Sequence, residues 1–144
     1  MFNGCTSLVK LSHLPAIILA NNCYLRMFAL CTSLTAVPSD LLPATTLTDG
    51  CYYSMFESCT SLTRAPELPA TALTNYCYNY MFHGCSSLNY IKAMFTTTPS
   101  TSYTDNWVQG VSSTGTFVKN SAATWDVTGD NGVPSGWTVE TTDS

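Results

Sequence analysis

The dipeptide Met-Phe recurs at Met1-Phe2, Met27-Phe28, Met55-Phe56 and Met81-Phe82, at intervals of 26, 28 and 26 residues, and each copy is followed by Cys and then Ser-Leu. A period of this size constrains the fold more than composition does, because one unit is too small to bury an apolar face alone and must lay it on its neighbours. The shared unit reads M-F-x-x-C-[ST]-S-L, then an apolar residue, L-P in the first three copies, L, and C-Y-x-x before the next M-F. The two extra residues of the second unit fall between Pro38 and Leu42, a surface connection in this reading.

A degenerate fifth unit follows. Trp107 stands 26 residues after Met81, with Tyr103 in the place of Cys77, Val111 in that of Cys85 and Phe117 in that of Ile91, although Thr114 replaces Leu88. The repeats thus occupy residues 1–120, and residues 121–144 are expected to form a C-terminal cap holding Trp125, Trp137 and Val139 against the open end. Asp130-Asn131-Gly132 and Pro134-Ser135-Gly136 are turn signals within it.

Cys51, Met55 and Cys59 are spaced i, i+4 and i+8, which predicts one face of a short helix with Asp49 or Thr48 as its N-cap, and Cys23, Met27, Cys31 and Cys77, Met81, Cys85 repeat the pattern. Leu34–Val37 and Leu88–Ile91 then read as short strands, and a parallel sheet linked by helical crossovers follows. The fold class expected is α/β, a solenoid of short parallel strands and short helices with about 26 residues per repeat. Its core would hold Phe2, Phe28, Phe56, Phe82, Leu8, Leu34, Leu62, Leu88, Cys31, Cys59, Cys85 and Trp107.

The elements F-x-x-C-[ST]-S-L, L-P-A-T and C-Y-x-x-M-F resemble those of the BspA-like leucine-rich repeats, found in surface proteins of gut Bacteroidetes, with related repeats in mycoplasma lipoproteins and gut phages. That resemblance implies a right-handed leucine-rich-repeat solenoid, with adhesion or ligand capture at a cell surface, as part of a longer protein, or alternatively a structural or receptor-binding role in a phage virion. It implies no active site.

Charged residues are only 10% of the chain, against about a quarter in ordinary domains. Nine acids and five bases give a net charge of −4 with no basic stripe, which argues against nucleic acid as a partner. The longest apolar run, Leu14 to Ala20, is interrupted by Pro15 and falls short of the roughly 18 to 20 residues that cross a bilayer, and no signal peptide is read at the start. The first unit begins at Met1-Phe2 without the C-Y-x-x that precedes the others, so end-to-end self-association or continuation of a longer repeat protein is expected.

Seven cysteines leave at least one without an intramolecular partner. Two helical turns would put Cys51 and Cys59 roughly 12 Å apart, and packed helices would hold Cys31 and Cys59 about 8 to 10 Å apart, both beyond the ~7 Å of a disulfide. No C-x2-C pair marks a zinc site, so buried thiols are expected, with no metal and no cofactor. His13 and His83 fall in variable slots, the latter shared with Asn3, Ala29 and Glu57 and expected to face water. No serine lies in G-x-S-x-G, no two acids stand together as in a glycosidase, and Asp126–Gly132 lacks the acids of a calcium loop. No catalytic residue is assigned, and a non-enzymatic binding or display module is expected.

The pair after each Ser-Leu varies within a fixed frame: Val9-Lys10, Thr35-Ala36, Thr63-Arg64, Asn89-Tyr90, Gly115-Thr116. These are expected on an exposed strand face, with Lys10, Arg64 and Tyr90 as candidate contacts for a protein or glycan ligand. Tyr24, Tyr52 and Tyr78 are expected to pack inward, and Tyr53, Tyr76 and Tyr80 to widen an aromatic patch.

Overall fold

A computed structural model describes residues 2–14 and 16–144; Met1 of the first Met-Phe pair and Pro15 of the first Leu-Pro lie outside the described residues. Among these residues there is no helix, and three strands form: β1 (Tyr90–Ala93), β2 (Thr116–Asn120) and β3 (Thr138–Thr142). They make one parallel sheet in the order β1-β2-β3, with Tyr90 opposite Thr116 and Thr116 opposite Thr138. The expected α/β leucine-rich-repeat solenoid, with a helix and a strand in every unit, is therefore overturned. Most of the chain runs in turns and irregular segments, and Leu34–Val37 contributes only one isolated bridge, Lys10 to Ala36.

Hydrogen bonding explains why the helices do not form. An α-helix commits each N–H to the carbonyl four residues back. Here alternate residues differ: the N–H groups of Cys51, Met55 and Cys59 reach back three residues to Thr48, Tyr52 and Phe56, whereas those of Tyr52, Phe56 and Ser58 donate forward to Cys77, Met81 and His83 of the next unit. Every fourth residue is left-handed, as at Gly50, Ser54 and Ser58 with φ of 64°, 52° and 59°. The result is a ribbon of overlapping turns with a four-residue repeat, which places Cys51, Met55 and Cys59 on one side without a helix. Thr48 and Asp49 are accordingly no N-cap, and Thr48 Oγ1 instead donates to the Ala20 carbonyl.

The forward-donated bonds lay each ribbon on the next. Phe2, Phe28, Phe56 and Phe82 stack with ring centroids 5.5, 5.6 and 5.8 Å apart, and a second column runs Tyr24, Tyr52, Tyr78, Trp107. Each buried aromatic ring of this kind contributes on the order of 1.5–3 kcal/mol by leaving water. Phe28, Phe56, Phe82, Leu34, Leu62, Leu88, Cys31, Cys59, Cys85 and Trp107 are all buried, while Phe2 and Leu8 are half-buried against the same core. The hydroxyls of Tyr52 and Tyr78 are carried into this interior and find no hydrogen-bond partner among the described residues.

Trp107 takes the Met position of the fifth unit, since Phe82 N–H donates to its carbonyl as Phe56 N–H does to Met81. Its indole N–H donates to the Gly132 carbonyl at 3.0 Å, and Thr104 and Asn106 bond Asn131, so the Asp130-Asn131-Gly132 turn docks on this layer. In residues 121–144, Trp125 and Trp137 are buried, but Val139 is 47% exposed and does not seal the end as expected. β3 joins residues 1–120 and 121–144 through one sheet.

The cysteines follow the same columns. All seven are free; Cys31, Cys51, Cys59, Cys77 and Cys85 are buried, Cys5 is half-buried and Cys23 is exposed. The separations expected from helices do not apply. Instead the Cys31, Cys59 and Cys85 thiols donate to the carbonyls of Phe2, Phe28 and Phe56, one unit back, at 3.1, 3.1 and 3.0 Å. Burial pushes the Cys51 thiol up to about 11 and those of Cys59 and Cys77 up to about 12.

Candidate interaction surface

Two surfaces of this fold carry side chains capable of recognition. The first is the strand side. Lys10 bridges Ala36, Arg64 bridges Tyr90, and Tyr90, Thr116 and Thr138 pair in register through the sheet, so these residues form one column along the molecule. The pairing is interrupted between Ala36 and Arg64, the unit with two extra residues, and ties resume where Glu67 N–H donates to the Ser39 carbonyl at 2.8 Å. Lys10 and Arg64 are exposed and Tyr90 is half-buried.

The guanidinium carbon of Arg64 lies 3.8 Å from the centroid of the Tyr90 ring. A guanidinium stacked on an aromatic face is held in place by the ring's quadrupole, worth about 0.5–1 kcal/mol at an exposed site, while its N–H donors stay free at the edge. The variable pairs around it are open as well: Val9, Thr35, Ala36, Thr63 and Asn89 are exposed, while Gly115 and Thr116, like Tyr90, are half-buried. The structure thus brings Arg64 and Tyr90 together and sets Lys10 in the same column, two units away.

The second surface lies on the turn ribbons, and comparison of slots missed it. Arg26 Nη1 donates to Glu57 Oε2 at 2.9 Å, Glu57 Oε1 stands 3.8 Å from His83 Nδ1, and His83 Nε2 lies 2.9 Å from Gln109 Oε1. Tyr80 packs edge-on against His83 and its hydroxyl donates to Asp105 at 3.3 Å; Tyr53 packs on Tyr80. The slot expected to face water is therefore not uniform: Ala29 is fully buried, and Glu57 and His83 join a polar strap across four units. Of the three tyrosines expected to widen an exposed patch, Tyr53 and Tyr80 are half-buried in this strap and only Tyr76 is exposed. A signal did exist, since Glu57 and His83 are opposite in character and one unit apart.

His13, the other histidine, lies 3.6 Å from Asp40 with both side chains exposed. Among the described residues neither histidine is hydrogen-bonded to a Ser or Thr hydroxyl or to a thiol, and no group of three or more His, Cys, Asp or Glu side chains is placed to hold a metal ion. No helix of the described residues is long and apolar enough to cross a membrane.

No protein-family model, no curated protein and no solved structure matches the chain.

Proposed function

We propose that the chain is a non-enzymatic binding or display module whose contact surface is the strand-side column containing Lys10, Arg64 and Tyr90. The observation that carries this reading is the stacking of Arg64 on Tyr90 at 3.8 Å, an ordered cation with open donors on an exposed face. Aromatic and Arg side chains held in advance of binding lose little freedom when a ligand arrives, which favours them as anchors. The turn-ribbon strap supports the same division of labour, because Arg26 is taken up by Glu57 and His83 Nε2 by Gln109 across units. The motif resemblance suggests display at a bacterial cell surface or on a phage virion.

Glycan and protein arrays probed with the whole chain test this reading. Binding is expected to be lost in the double variant Arg64→Ala/Tyr90→Ala and kept in Arg26→Ala on the turn-ribbon surface. A ligand bound equally well by both variants places the contact surface elsewhere and overturns the proposal.

A further inference from the structure

The ownership of the five basic side chains narrows the ligand. Arg26 is paired with Glu57 at 2.9 Å, Lys92 with Glu67 at 3.6 Å, and Lys119 donates to the Trp125 carbonyl at 2.7 Å while lying over that indole. Lys10 and Arg64 are the two left, and among the described residues neither has an ion pair or a side-chain hydrogen bond. Both lie in the same strand-side column. The Phe2, Phe28 and Phe56 rings of their three units stack 5.5 and 5.6 Å apart, so the two cations belong to units two layers apart.

We infer that this column binds an anionic glycan, a linear chain whose carboxylate or sulfate groups meet Lys10 and Arg64. The inference rests on the binding-module reading above and adds the chemical class of ligand. Three features favour it. An otherwise acidic chain, of net charge −4, keeps its two uncommitted cations on one face, which complements a polyanion there. Thr35, Thr63, Asn89 and Thr116 beside them are short and polar, matched to sugar hydroxyls as donors and acceptors, with Val9 and Ala36 as small apolar neighbours. The regular advance of one unit per layer also suits a polymer with its own repeat.

The test uses the whole chain with four probes: polygalacturonate, its methyl ester, dextran sulfate and polyglutamate. Binding to polygalacturonate or dextran sulfate is expected to weaken as salt rises. The methyl ester, with the same sugars but no charge, and the variant Lys10→Ala/Arg64→Ala are each expected to bind at least about tenfold more weakly, the loss of one charge-assisted contact or more. Arg64→Lys, which keeps charge but loses the stacked plane, is expected to fall between. Equal binding of ester and acid overturns the anionic inference but leaves the binding-module reading standing, provided Tyr90→Ala still weakens it. Tighter binding of polyglutamate transfers the surface to an acidic peptide and overturns the glycan. Binding of neither anionic glycan overturns the inference outright, and an array hit lost in Arg64→Ala/Tyr90→Ala would then show the module reading to survive alone.

Discussion

The thiol of Cys59 donates to the carbonyl of Phe28 at 3.1 Å, from one unit into the one before it. Both residues are buried, and Cys31 and Cys85 make the same contact in their own units. A small apolar side chain with a weak donor suits this position, since a larger one would push the Phe column apart. Replacing Cys59 with Ala removes the donor and leaves a void the size of a sulfur atom. A loss of about 1–2 kcal/mol is expected, read as a lower urea midpoint with unchanged slope; an unchanged midpoint would show the contact to contribute nothing.

The buried thiols also set the behaviour of the fold in alkali. Burial raises Cys59 and Cys77 from the ordinary thiol value of 9.0 to about 12 and Cys51 to about 11, whereas in the unfolded chain they ionise near that ordinary value. Above it the unfolded chain holds fewer protons than the folded one, so stability falls as pH rises. The contribution is complete below about pH 9 and is lost as pH climbs through about 11 and 12. Each such thiol adds a slope of ~1.4 kcal/mol per pH unit in that window. Urea midpoints measured across it are expected to fall, and less steeply in Cys59→Ala; a flat profile would contradict the burial of these groups.

Leu30 offers a stabilising change. It occupies a left-handed position, φ 61°, in the slot that Gly4, Gly84 and Gly110 fill in other units with φ of 74°, 75° and 81°. The residue is 44% exposed, so only part of its side chain packs. A left-handed conformation costs an L residue roughly 1–2 kcal/mol, and the added freedom of glycine in the unfolded chain returns about 0.5–1 kcal/mol of that. Leu30→Gly is expected to raise stability by about 0.5–1 kcal/mol in thermal or urea unfolding, and a clear loss would mean that the side chain packs more than its exposure indicates.

The Tyr78 hydroxyl is buried without a hydrogen-bond partner among the described residues, inside a stack that uses only the ring. Burying an unmatched hydroxyl costs about 1–3 kcal/mol. Tyr78→Phe keeps the ring and removes that cost, so unfolding is expected at equal or higher temperature. Substantial destabilisation would reveal a partner for the hydroxyl.

Much of the interior was legible in the repeat itself. Slot-by-slot alignment of Met27, Met55, Met81 and Trp107 identified the Phe and Cys columns and the disguised fifth unit, because positions that must stack on their own copies keep their size and polarity. Local conformation was not legible. Cys51, Met55 and Cys59 are consistent with a helix face and with a ribbon of four-residue turns alike, and the ~80° by which a helix drifts over eight residues is too small to separate them. Glycine was the overlooked signal: Gly4, Gly84 and Gly110 share one left-handed slot, the last two standing four residues after left-handed Tyr80 and Asn106, where a helix gains nothing from them. Lys10, Arg64 and Tyr90 could be named from variation alone, but the stacking of Arg64 on Tyr90 depends on which units are neighbours and in what register. The Arg26, Glu57 and His83 strap was hidden for the same reason, since it links unlike residues rather than repeating one.

Because Tyr52, Phe56 and Ser58 send their amide hydrogens into the following unit, no segment completes its own bonding, and the molecule can change length only in whole steps. Duplicating or excising one complete unit keeps this forward bonding, because each unit donates to the next in the same pattern. Removing a single residue between Cys51 and Cys59 would turn donors into turn-formers and outward side chains inward along that entire segment. Insertions and deletions within a unit are thereby disfavoured, except in the Pro38 to Leu42 connection, where two extra residues interrupt the strand-side pairing between Ala36 and Arg64 but leave Phe28 stacked on Phe56.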